Sequence, residues 1–271
     1  MSIHDRHSIH NRVKEHYGRV AKHKVSPCCN PNVKCCGGAE ITISADALSK
    51  GLGYSDSQLE GAPSGSNLGL GCGNPVAIAE LKEGEVVLDL GSGGGFDCFL
   101  AAQKVGPAGH VIGVDVTPEM VSLARKNALG GKFTNVEFRY GEIERLPIIG
   151  SSIDIIMSNC VINLSPDKMR VFSESFRVLK PGGRLTISDI VAVKPLPEQI
   201  ATDLDAYVGC VAGAMLIDDL VDILKGAGFT GVLVEPQCQS REYIREWMPG
   251  MHAEDYVVSA VIRAVKPCKM G

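Results

Sequence analysis

The sequence predicts a three-layer α/β fold, in which helices cover both faces of a mostly parallel sheet. Three observations support this prediction. From residue 85 onward, short apolar runs alternate with amphipathic segments, which is the pattern of βαβ units. A glycine-rich turn follows the first apolar run directly. The chain has 271 residues, of which 45% are hydrophobic and 21% charged, so it can bury a sizeable core.

Seven apolar runs have the length and composition of strands. They span residues 85–90, 110–115, 135–140, 152–159, 184–191, 231–236 and 256–265. Helices are predicted between them over residues 95–105, 117–129, 167–179, 197–208 and 217–227. Thr117 is the predicted N-cap of the second of these helices, with Pro118 at its first position. The sequence KPGG is predicted to stop the 167–179 helix and to form a turn before the fifth strand.

The first 80 residues have a different character. A polar helix is predicted over residues 6–22, two short helices over 44–60 with Ser44 as N-cap, and another helix starting at Pro75. The sequence therefore divides into an N-terminal helical, cysteine-rich cap (1–80), an α/β core (81–194) and a C-terminal part (195–271). This last part is expected to contribute the final strands of the sheet and helices that cover the substrate site.

Composition argues against several classes of protein. The formal charge is -4 and the pI is near 6.0, without a Lys/Arg stripe, so no nucleic-acid partner is expected. No apolar run approaches the roughly 20 residues that span a bilayer. The polar start lacks the apolar region of a signal peptide, which predicts a cytoplasmic protein. As a separate expectation, a monomer is favoured. The ten cysteines then favour metal or redox chemistry over structural disulfides, although buried core positions are the simpler alternative.

The glycine-rich turn predicts a cofactor site. Its sequence Asp89-Leu-Gly91-Ser92-Gly93-Gly-Gly95 follows the first strand, and Phe96 stands where a dinucleotide fingerprint needs glycine. The pattern instead resembles motif I of class I S-adenosylmethionine (SAM) methyltransferases. This resemblance implies a Rossmann-like, seven-stranded sheet with one antiparallel strand.

Acidic and apolar residues after the next strands extend this resemblance. Asp115 ends the second strand, where a carboxylate can accept hydrogen bonds from both ribose hydroxyls. The resemblance implies that Met120 contacts adenine and that Glu142 and Ile143, after the third strand, meet its amino group. The alternative for Asp115 and Glu142 is helix capping. Asn159 and Tyr17 are further cofactor-site candidates. Asn159 could also orient the turn after the fourth strand, and Tyr17 could also pack under the N-terminal helix.

The methyl acceptor should bind beside Cys160. In the methyltransferase strand order, the ligand crevice lies between strands one and four, and Cys160 follows the fourth strand. The residues Asn159-Cys160-Val161-Ile162 do not match the N/D-P-P-Y motif that accompanies amine acceptors. A cysteine at this position indicates a soft acceptor or covalent chemistry.

Two more cysteines have unusual surroundings. Cys72 stands among glycines in NLGLGCGNP, and Cys210 lies in YVGCVAGA, within the segment expected to cover the site. With VLDLGSGGGFDCFLA, VIGVDVTPEM, SNCVINLSPDK and RVLKPGGRLTISDIV, these stretches resemble the arsenite SAM methyltransferases over nearly the whole chain. The resemblance implies that Cys72, Cys160 and Cys210 bind trivalent arsenic, which three thiolates can hold with its lone pair free to attack the methyl group.

The resemblance also implies a redox role for an N-terminal cysteine, which would act with the cysteine corresponding to Cys72. Methylation formally oxidises arsenic, and thiols can return the electrons by forming a disulfide. The candidates are Cys28, Cys29, Cys35 and Cys36, with Cys35 or Cys36 favoured as a catalytic thiol; a second arsenical-loading site or a zinc site are alternatives. A glutathione- or thioredoxin-type reductant is expected as co-substrate. Cys98 is expected in the core, and Cys238 and Cys268 are expected to be incidental, with collection of arsenicals by a thiol near the C-terminus as the alternative.

The sequence thus predicts an enzyme that transfers methyl groups from SAM to thiolate-bound trivalent arsenic, for arsenic detoxification. Two alternatives stay open. One is a SAM-dependent C- or O-methyltransferase of a small organic or lipid acceptor. The other is a thiol-rich metalloid sensor that binds arsenite without turnover.

Overall fold

The structure is a computed structural model that describes residues 6–23, 44–248 and 250–268. Its strands are β1 (Val86–Leu90), β2 (His110–Asp115), β3 (Val136–Tyr140), β4 (Ile153–Asn159), β5 (Leu179–Ala192), β6 (Thr230–Gln237) and β7 (Val257–Val265). They form one sheet in the order β3-β2-β1-β4-β5-β7-β6. The pairs among β1 to β5 are parallel, and β7 is antiparallel to both of its neighbours. This confirms the predicted seven-stranded, mostly parallel sheet.

Most helices occupy the predicted regions. They are α1 (Arg6–His23), α2 (Ala45–Gly51), α3 (Asp56–Gly61), α4 (Pro75–Ile78), α5 (Phe96–Val105), α6 (Pro118–Gly130), α7 (Lys168–Val178), α8 (Glu198–Ala201), α9 (Leu204–Val208), α10 (Ile217–Gly226) and α11 (Arg241–Trp247). Single 3₁₀ turns lie at Ile162–Leu164, Cys238–Ser240 and Ala253–Asp255.

Alternate residues of the strands divide the core into two layers. In β1, Val87 packs with α5 on one face, while Leu88 and Leu90 pack with α7 and α10 on the other. In β4, Ile155 and Ile156 divide in the same way. Because both faces are covered there, the central strands β1, β2 and β4 are nearly continuously apolar, as expected for a parallel sheet. The three-layer prediction therefore holds.

Local sequence explains where several helices begin. The Ser44 hydroxyl accepts the Ala47 N–H at 3.2 Å, so Ser44 is the N-cap predicted for the first short helix. Pro75 is the first residue of α4, and the Asn74 side chain caps that helix. Thr117 occupies the N-cap position of α6, but its side chain makes no capping bond.

The structure corrects the prediction for KPGG. Instead of forming a turn before the fifth strand, this segment lies inside β5, which begins immediately after α7. Ile153 pairs with Leu179 but Ile155 pairs with Arg184, so the residues between Leu179 and Arg184 form a bulge. Gly182 supplies the positive φ of 78° that this bulge needs.

The region after residue 197 also differs from prediction. The expected 197–208 helix is two short helices, α8 and α9, because Asp203 caps a new start through the Ala206 N–H at 2.8 Å. Helix α11 was not predicted.

Helix α1 lies across the carboxyl edge of the sheet. Tyr17 donates a hydrogen bond to the carbonyl oxygen of Val208 in α9 at 3.0 Å, and Lys22 pairs with Glu119 at the start of α6 at 2.9 Å. The N-terminal helix therefore covers the edge at which β1, β2 and β4 end. Within the described part of the chain, no helix combines the length and apolarity that crossing a membrane requires.

Removal of a core aromatic ring should show how strongly this packing stabilises the fold. Phe172 in α7 is fully buried against the sheet. We expect Phe172→Ala to lower the free energy of unfolding by about 3–5 kcal/mol, because it removes buried apolar area and leaves a cavity. Urea unfolding followed by circular dichroism measures the change. Leu129→Ala is the control, since Leu129 is 82% exposed and should change stability by no more than about 0.5 kcal/mol. Equal effects of the two substitutions would contradict the assignment of this core.

Candidate active site

An open cavity lies where β1, β2 and β4 end. Its wall contains the glycine-rich turn after β1, the end of β2, the end of β4 and one side of α1. This is the crevice at which strand order reverses in the sheet, since β1 lies between β2 and β4.

The glycine-rich turn needs its glycines for both backbone angle and space. Gly91, Gly93 and Gly95 have φ values of 72°, 50° and 90°. A Cβ at Gly95 would lie 2.8 Å from atoms of Phe138 and Phe99, whereas a Cβ at Gly93 would meet no atom within 4 Å. Among the described residues, the buried hydroxyl of Ser92 has no hydrogen-bond partner. The turn therefore presents open backbone at the cavity, with the Ser92 hydroxyl buried behind it.

Asp115 faces the same cavity from the end of β2. Its carboxylate accepts the N–H of Gly93 at 2.9 Å and the N–H of Thr117 at 2.8 Å. Burial raises the pKa of Asp115, and these backbone hydrogen bonds oppose the shift. Met120 and Ile143 are both buried and form apolar parts of the wall. This combination fits a ligand with a polar sugar and an apolar ring.

Asp89, Asn159 and Tyr17 also line the cavity. Asp89 is buried and accepts the Cys98 thiol hydrogen at 3.1 Å, so Cys98 is a core residue as predicted. Burial and then the nearby Asp97 raise the pKa of Asp89. Asp97 and Tyr54 were missed by the sequence reasoning. The available signal was an acid in the first turn of the helix that follows the glycine-rich turn.

The acidic turn after β3 differs from the prediction in detail. The side chain of Glu142 is 44% exposed and lies near Lys14 and His10, outside the residues that line the cavity. Glu144 lines the cavity instead, where it accepts hydrogen bonds from Ser165 and from His10. The geometry therefore favours Glu144 over Glu142 as the acid that this turn contributes to the cavity.

The three predicted cysteines lie in one buried cluster. Cys72 and Cys160 are joined by a disulfide, with their Cα atoms 5.8 Å apart, and Cys160 is part of the cavity wall. The Cys210 thiol donates to the carbonyl oxygen of Cys160 at 2.9 Å. Cys160 and Cys210 have φ values of 56° and 63°, which are uncommon for residues with a side chain. Such backbone strain accumulates at functional sites.

Asp189 was not predicted as part of this cluster. One of its oxygens lies within 4.8 Å of the sulfurs of Cys72 and Cys160. Its carboxylate accepts the N–H groups of Ile162 and Ile190, at 2.9 and 2.7 Å, and the Asn163 amide at 3.0 Å. Burial raises the pKa of Asp189 to about 6 in spite of these donors. A single acid in the buried run RLTISDIV was the signal in the sequence.

The other cysteines lie apart from this cluster or beyond the described residues. Cys238 and Cys268 are exposed, as expected for thiols without a role in the site. The predictions for Cys28, Cys29, Cys35 and Cys36 concern positions outside the described residues.

The fold and cavity define the class of the protein. A family model described as "Methyltransferase domain" matches residues 81–228. Together with the strand order and the glycine-rich turn, this match makes the chain a SAM-dependent methyltransferase with a Rossmann-like fold.

Three relatives narrow the family. The chain is 45% identical to an arsenite methyltransferase of Halobacterium salinarum, over 96% of this chain and 69% of that protein. It is 38% identical to an arsenite methyltransferase of Aquipseudomonas alcaligenes, over 84% and 64%. The crystal structure of an arsenic(III) SAM methyltransferase from Chlamydomonas reinhardtii has a TM-score of 0.63 and 32% identity, and the match covers 82% of this chain and 74% of that one. The chain belongs to the arsenite methyltransferase family and spans about two thirds of the length of these two curated relatives.

The contact between α1 and the acidic turn should depend on pH. His10 Nε2 lies 3.2 Å from Glu144 Oε1, and this hydrogen bond raises the pKa of His10. Burial and Lys14 oppose the shift, while the charges of Glu144 and Glu142 reinforce it. Because the folded pKa is the higher one, the interaction stabilises α1 fully below the unfolded pKa and is lost as pH rises through the folded pKa.

An NMR titration of the histidine ring protons measures this directly. We expect the pKa of His10 to exceed its ordinary value of about 6.5 and to fall in Glu144→Gln. His16 is the internal control, since burial lowers its pKa and the substitution should leave it unchanged. A wild-type His10 that titrates at or below His16 would show that this hydrogen bond does not form in solution.

Proposed function

We propose that this chain transfers methyl groups from SAM to trivalent arsenic held by the thiolates of Cys72, Cys160 and Cys210. The observation that carries the proposal is the meeting of these three cysteines at the end of β4, beside the cavity of the glycine-rich turn. The names of the relatives agree with it. The proposed role is arsenic detoxification.

The residues of the cavity fit SAM. The open backbone at Gly91–Gly95 and the Asp115 carboxylate offer polar contacts, and Met120 and Ile143 offer an apolar wall. When bound, SAM supplies a methyl group on a positively charged sulfur, which makes that methyl electrophilic. In our assignment Asp115 accepts the ribose hydroxyls, and Tyr17 closes the cavity from α1.

The thiols have two tasks in this proposal. Arsenic(III) is a soft centre that prefers thiolates to oxygen ligands, so three cysteines select it over hard metal ions. Three sulfur ligands leave its lone pair free to form a bond to the methyl carbon. The carbon–sulfur bond of the sulfonium would break, its electron pair would leave with the neutral thioether, and arsenic would become formally pentavalent. The role of the protein in this displacement is to hold arsenic in line with the methyl group.

Return of arsenic to the trivalent state needs two electrons. Oxidation of the Cys72 and Cys160 thiolates to one disulfide releases two, and that disulfide is the form found in the structure. Two thiols of a glutathione- or thioredoxin-type reductant then reduce it by disulfide exchange and become a disulfide themselves. The prediction that Cys35 or Cys36 takes part adds a thiol that could relay this exchange. We further propose a monomer that works in the reducing cytoplasm, where such reductants are abundant.

Substitution of the cluster cysteines tests the proposal. The protein is incubated with arsenite, SAM and a thiol reductant, and the methylated products are separated by chromatography and quantified by arsenic mass spectrometry. We expect Cys72→Ser, Cys160→Ser and Cys210→Ser each to lower the rate by more than ~100-fold, because each loses a direct ligand rather than a supporting residue. SAM affinity should be retained.

Cys238→Ser is the control, since Cys238 is exposed and outside the cluster. Unimpaired methylation by Cys160→Ser would refute the proposed site. Tight arsenite binding without any methylated product would instead indicate a sensor, and methylation of an organic acceptor with indifference to arsenite would indicate a different transferase.

The assignment of Asp115 gives a separate prediction. Asp115→Ala should weaken SAM binding by about 10- to 100-fold, because two hydrogen bonds to a charged acceptor are lost. Arsenite affinity should stay the same, since Asp115 belongs to β2 and the thiols follow other segments. Calorimetric titration with each ligand measures both. Asp218→Ala, an exposed acid in α10, is the control. Equal SAM affinity in the two variants would exclude Asp115 from the cofactor site.

A further inference from the structure

The side chain of Asn159 joins the end of β4 to the loop that carries Cys72. Its Oδ1 accepts the N–H of Cys72 at 3.0 Å, and its Nδ2 donates to the carbonyl oxygen of Gly73 at 2.8 Å. One amide thus binds the backbone on both sides of the Cys72 side chain. Because Cys160 is the next residue after Asn159, this amide links the two halves of the thiol pair, by which we mean Cys72 and Cys160.

A second set of contacts fixes the orientation of the amide. Asn159 Nδ2 also lies 3.1 Å from Asp97 Oδ2 and 3.1 Å from the Tyr54 hydroxyl oxygen. The Tyr54 hydroxyl donates to the other Asp97 oxygen at 2.6 Å, so it presents a lone pair to Asn159. The carbonyl oxygen of Gly73 and the Asp97 carboxylate can only accept and the N–H of Cys72 can only donate, so a flipped amide would lose these three bonds.

The packing of the loop shows how closely it sits on this amide. A Cβ at Gly71 would lie 2.6 Å from Asn159 Nδ2, and one at Gly73 would collide with the Ser188 hydroxyl of β5. The carbonyl oxygen of Cys72 accepts hydrogen bonds from Ser259 at 2.9 Å and Tyr243 at 3.2 Å. The glycines that flank Cys72 therefore allow its backbone to be held from two sides.

We infer that Asn159 is a positioning residue for the thiol pair, which holds the Cys72 sulfur beside Cys160 and connects the pair to Asp97 at the cofactor cavity. The importance of this role for arsenic chemistry rests on the proposed function, whereas the role itself concerns the two thiols. Two thiols held in one geometry behave as if at high concentration, so the pair forms its disulfide more readily than free thiols do. Loss of the amide should lower that effective concentration.

Equilibration with glutathione measures this effect. The protein dithiol and oxidised glutathione react to give the protein disulfide and two reduced glutathione molecules. The full chain is equilibrated in buffers of graded glutathione ratio, quenched with acid and alkylated, and the 72–160 pair is quantified by peptide mass spectrometry. For Asn159→Ala we expect the equilibrium constant to fall about tenfold or more, since two backbone hydrogen bonds are lost, which raises the reduction potential by about 30 mV.

Two further variants complete the test. Asn159→Asp keeps the size and the acceptor for Cys72 N–H but cannot donate to Gly73 or Asp97, and its equilibrium constant should also fall. Asn135→Ala is the matched control, because Asn135 is a partly buried asparagine that donates to the backbone oxygens of Ala102 and Gly106, both at 3.0 Å. Its equilibrium constant should equal that of the wild type.

Arsenite and SAM titrations separate positioning from cofactor binding. The Asn159 variants should bind arsenite about tenfold more weakly, and this loss should exceed any loss of SAM affinity, which can also fall because Asn159 lines the cofactor cavity. Wild-type glutathione equilibria in both variants would overturn the inference, as would a loss of SAM affinity with the thiol equilibrium intact. If Asn159→Ala does not fold, the same measurements on Asn159→Asp test the inference. A chain that failed to methylate arsenite would leave the glutathione result unaffected, so the two proposals can fail separately.

Discussion

The pairing of β1 with both β2 and β4 is the constraint on which the site depends. Leu90, the last residue of β1, lies opposite Val114 of β2 and Ser158 of β4. The next residue in each chain segment is Gly91, Asp115 or Asn159, so the glycine-rich turn, the ribose-binding candidate and the thiol-holding amide emerge at one level. The hydrogen bond from the Ser158 hydroxyl to the Leu90 carbonyl oxygen, at 3.0 Å, adds to this register. A shift of one residue would turn Asp115 or Asn159 to the opposite face of the sheet.

Two cysteines of the cluster have backbone angles that cost free energy. Positive φ at a residue with a side chain costs on the order of 1–3 kcal/mol, and both Cys160 and Cys210 adopt it. The surrounding structure fixes these angles, because the Cys160 N–H binds the Ser188 oxygen at 2.8 Å and the Cys210 N–H binds the Tyr207 oxygen at 3.0 Å. Burial raises the pKa of Cys210, Asp189 adds to the shift, and Lys168 opposes it. A buried neutral thiol that ionises only against a soft, electron-poor ligand suits an arsenic site better than a site for a general nucleophile.

The sequence predicted helices and strands better than it predicted which distant residues meet in the folded chain. The apolar pattern located the strands most directly for β1, β2 and β4, which are almost entirely buried and read as apolar runs. KPGG was misread because proline and glycine are typical of turns and also of a bulge within a strand. Cys72 and Cys160 are 88 residues apart without a ligand spacing to link them, so only resemblance joined them before the fold was known. Asp97 and Asp189 were missed for a similar reason: a lone acid carries no pattern until its neighbours in space are seen.

Four buried carboxylates lie at the cofactor cavity and the thiol pair, and they favour positive charge there. Asp89, Asp97 and Asp115 line it, and Asp189 lies at the thiol pair behind Cys160. Burial raises the pKa of each, and Asp97, whose pKa is raised to about 6, further raises that of Asp89 by mutual repulsion. Carboxylates in this condition gain most from a cation, because a positive charge offsets both their repulsion and their lost hydration. SAM is positively charged at the sulfur, whereas the product of methyl transfer is neutral there. On the proposed function, the acids of the cavity therefore favour the charged cofactor over its neutral product. Of the four acids, Asp189 also raises the pKa of the Cys210 thiol and so opposes formation of its thiolate.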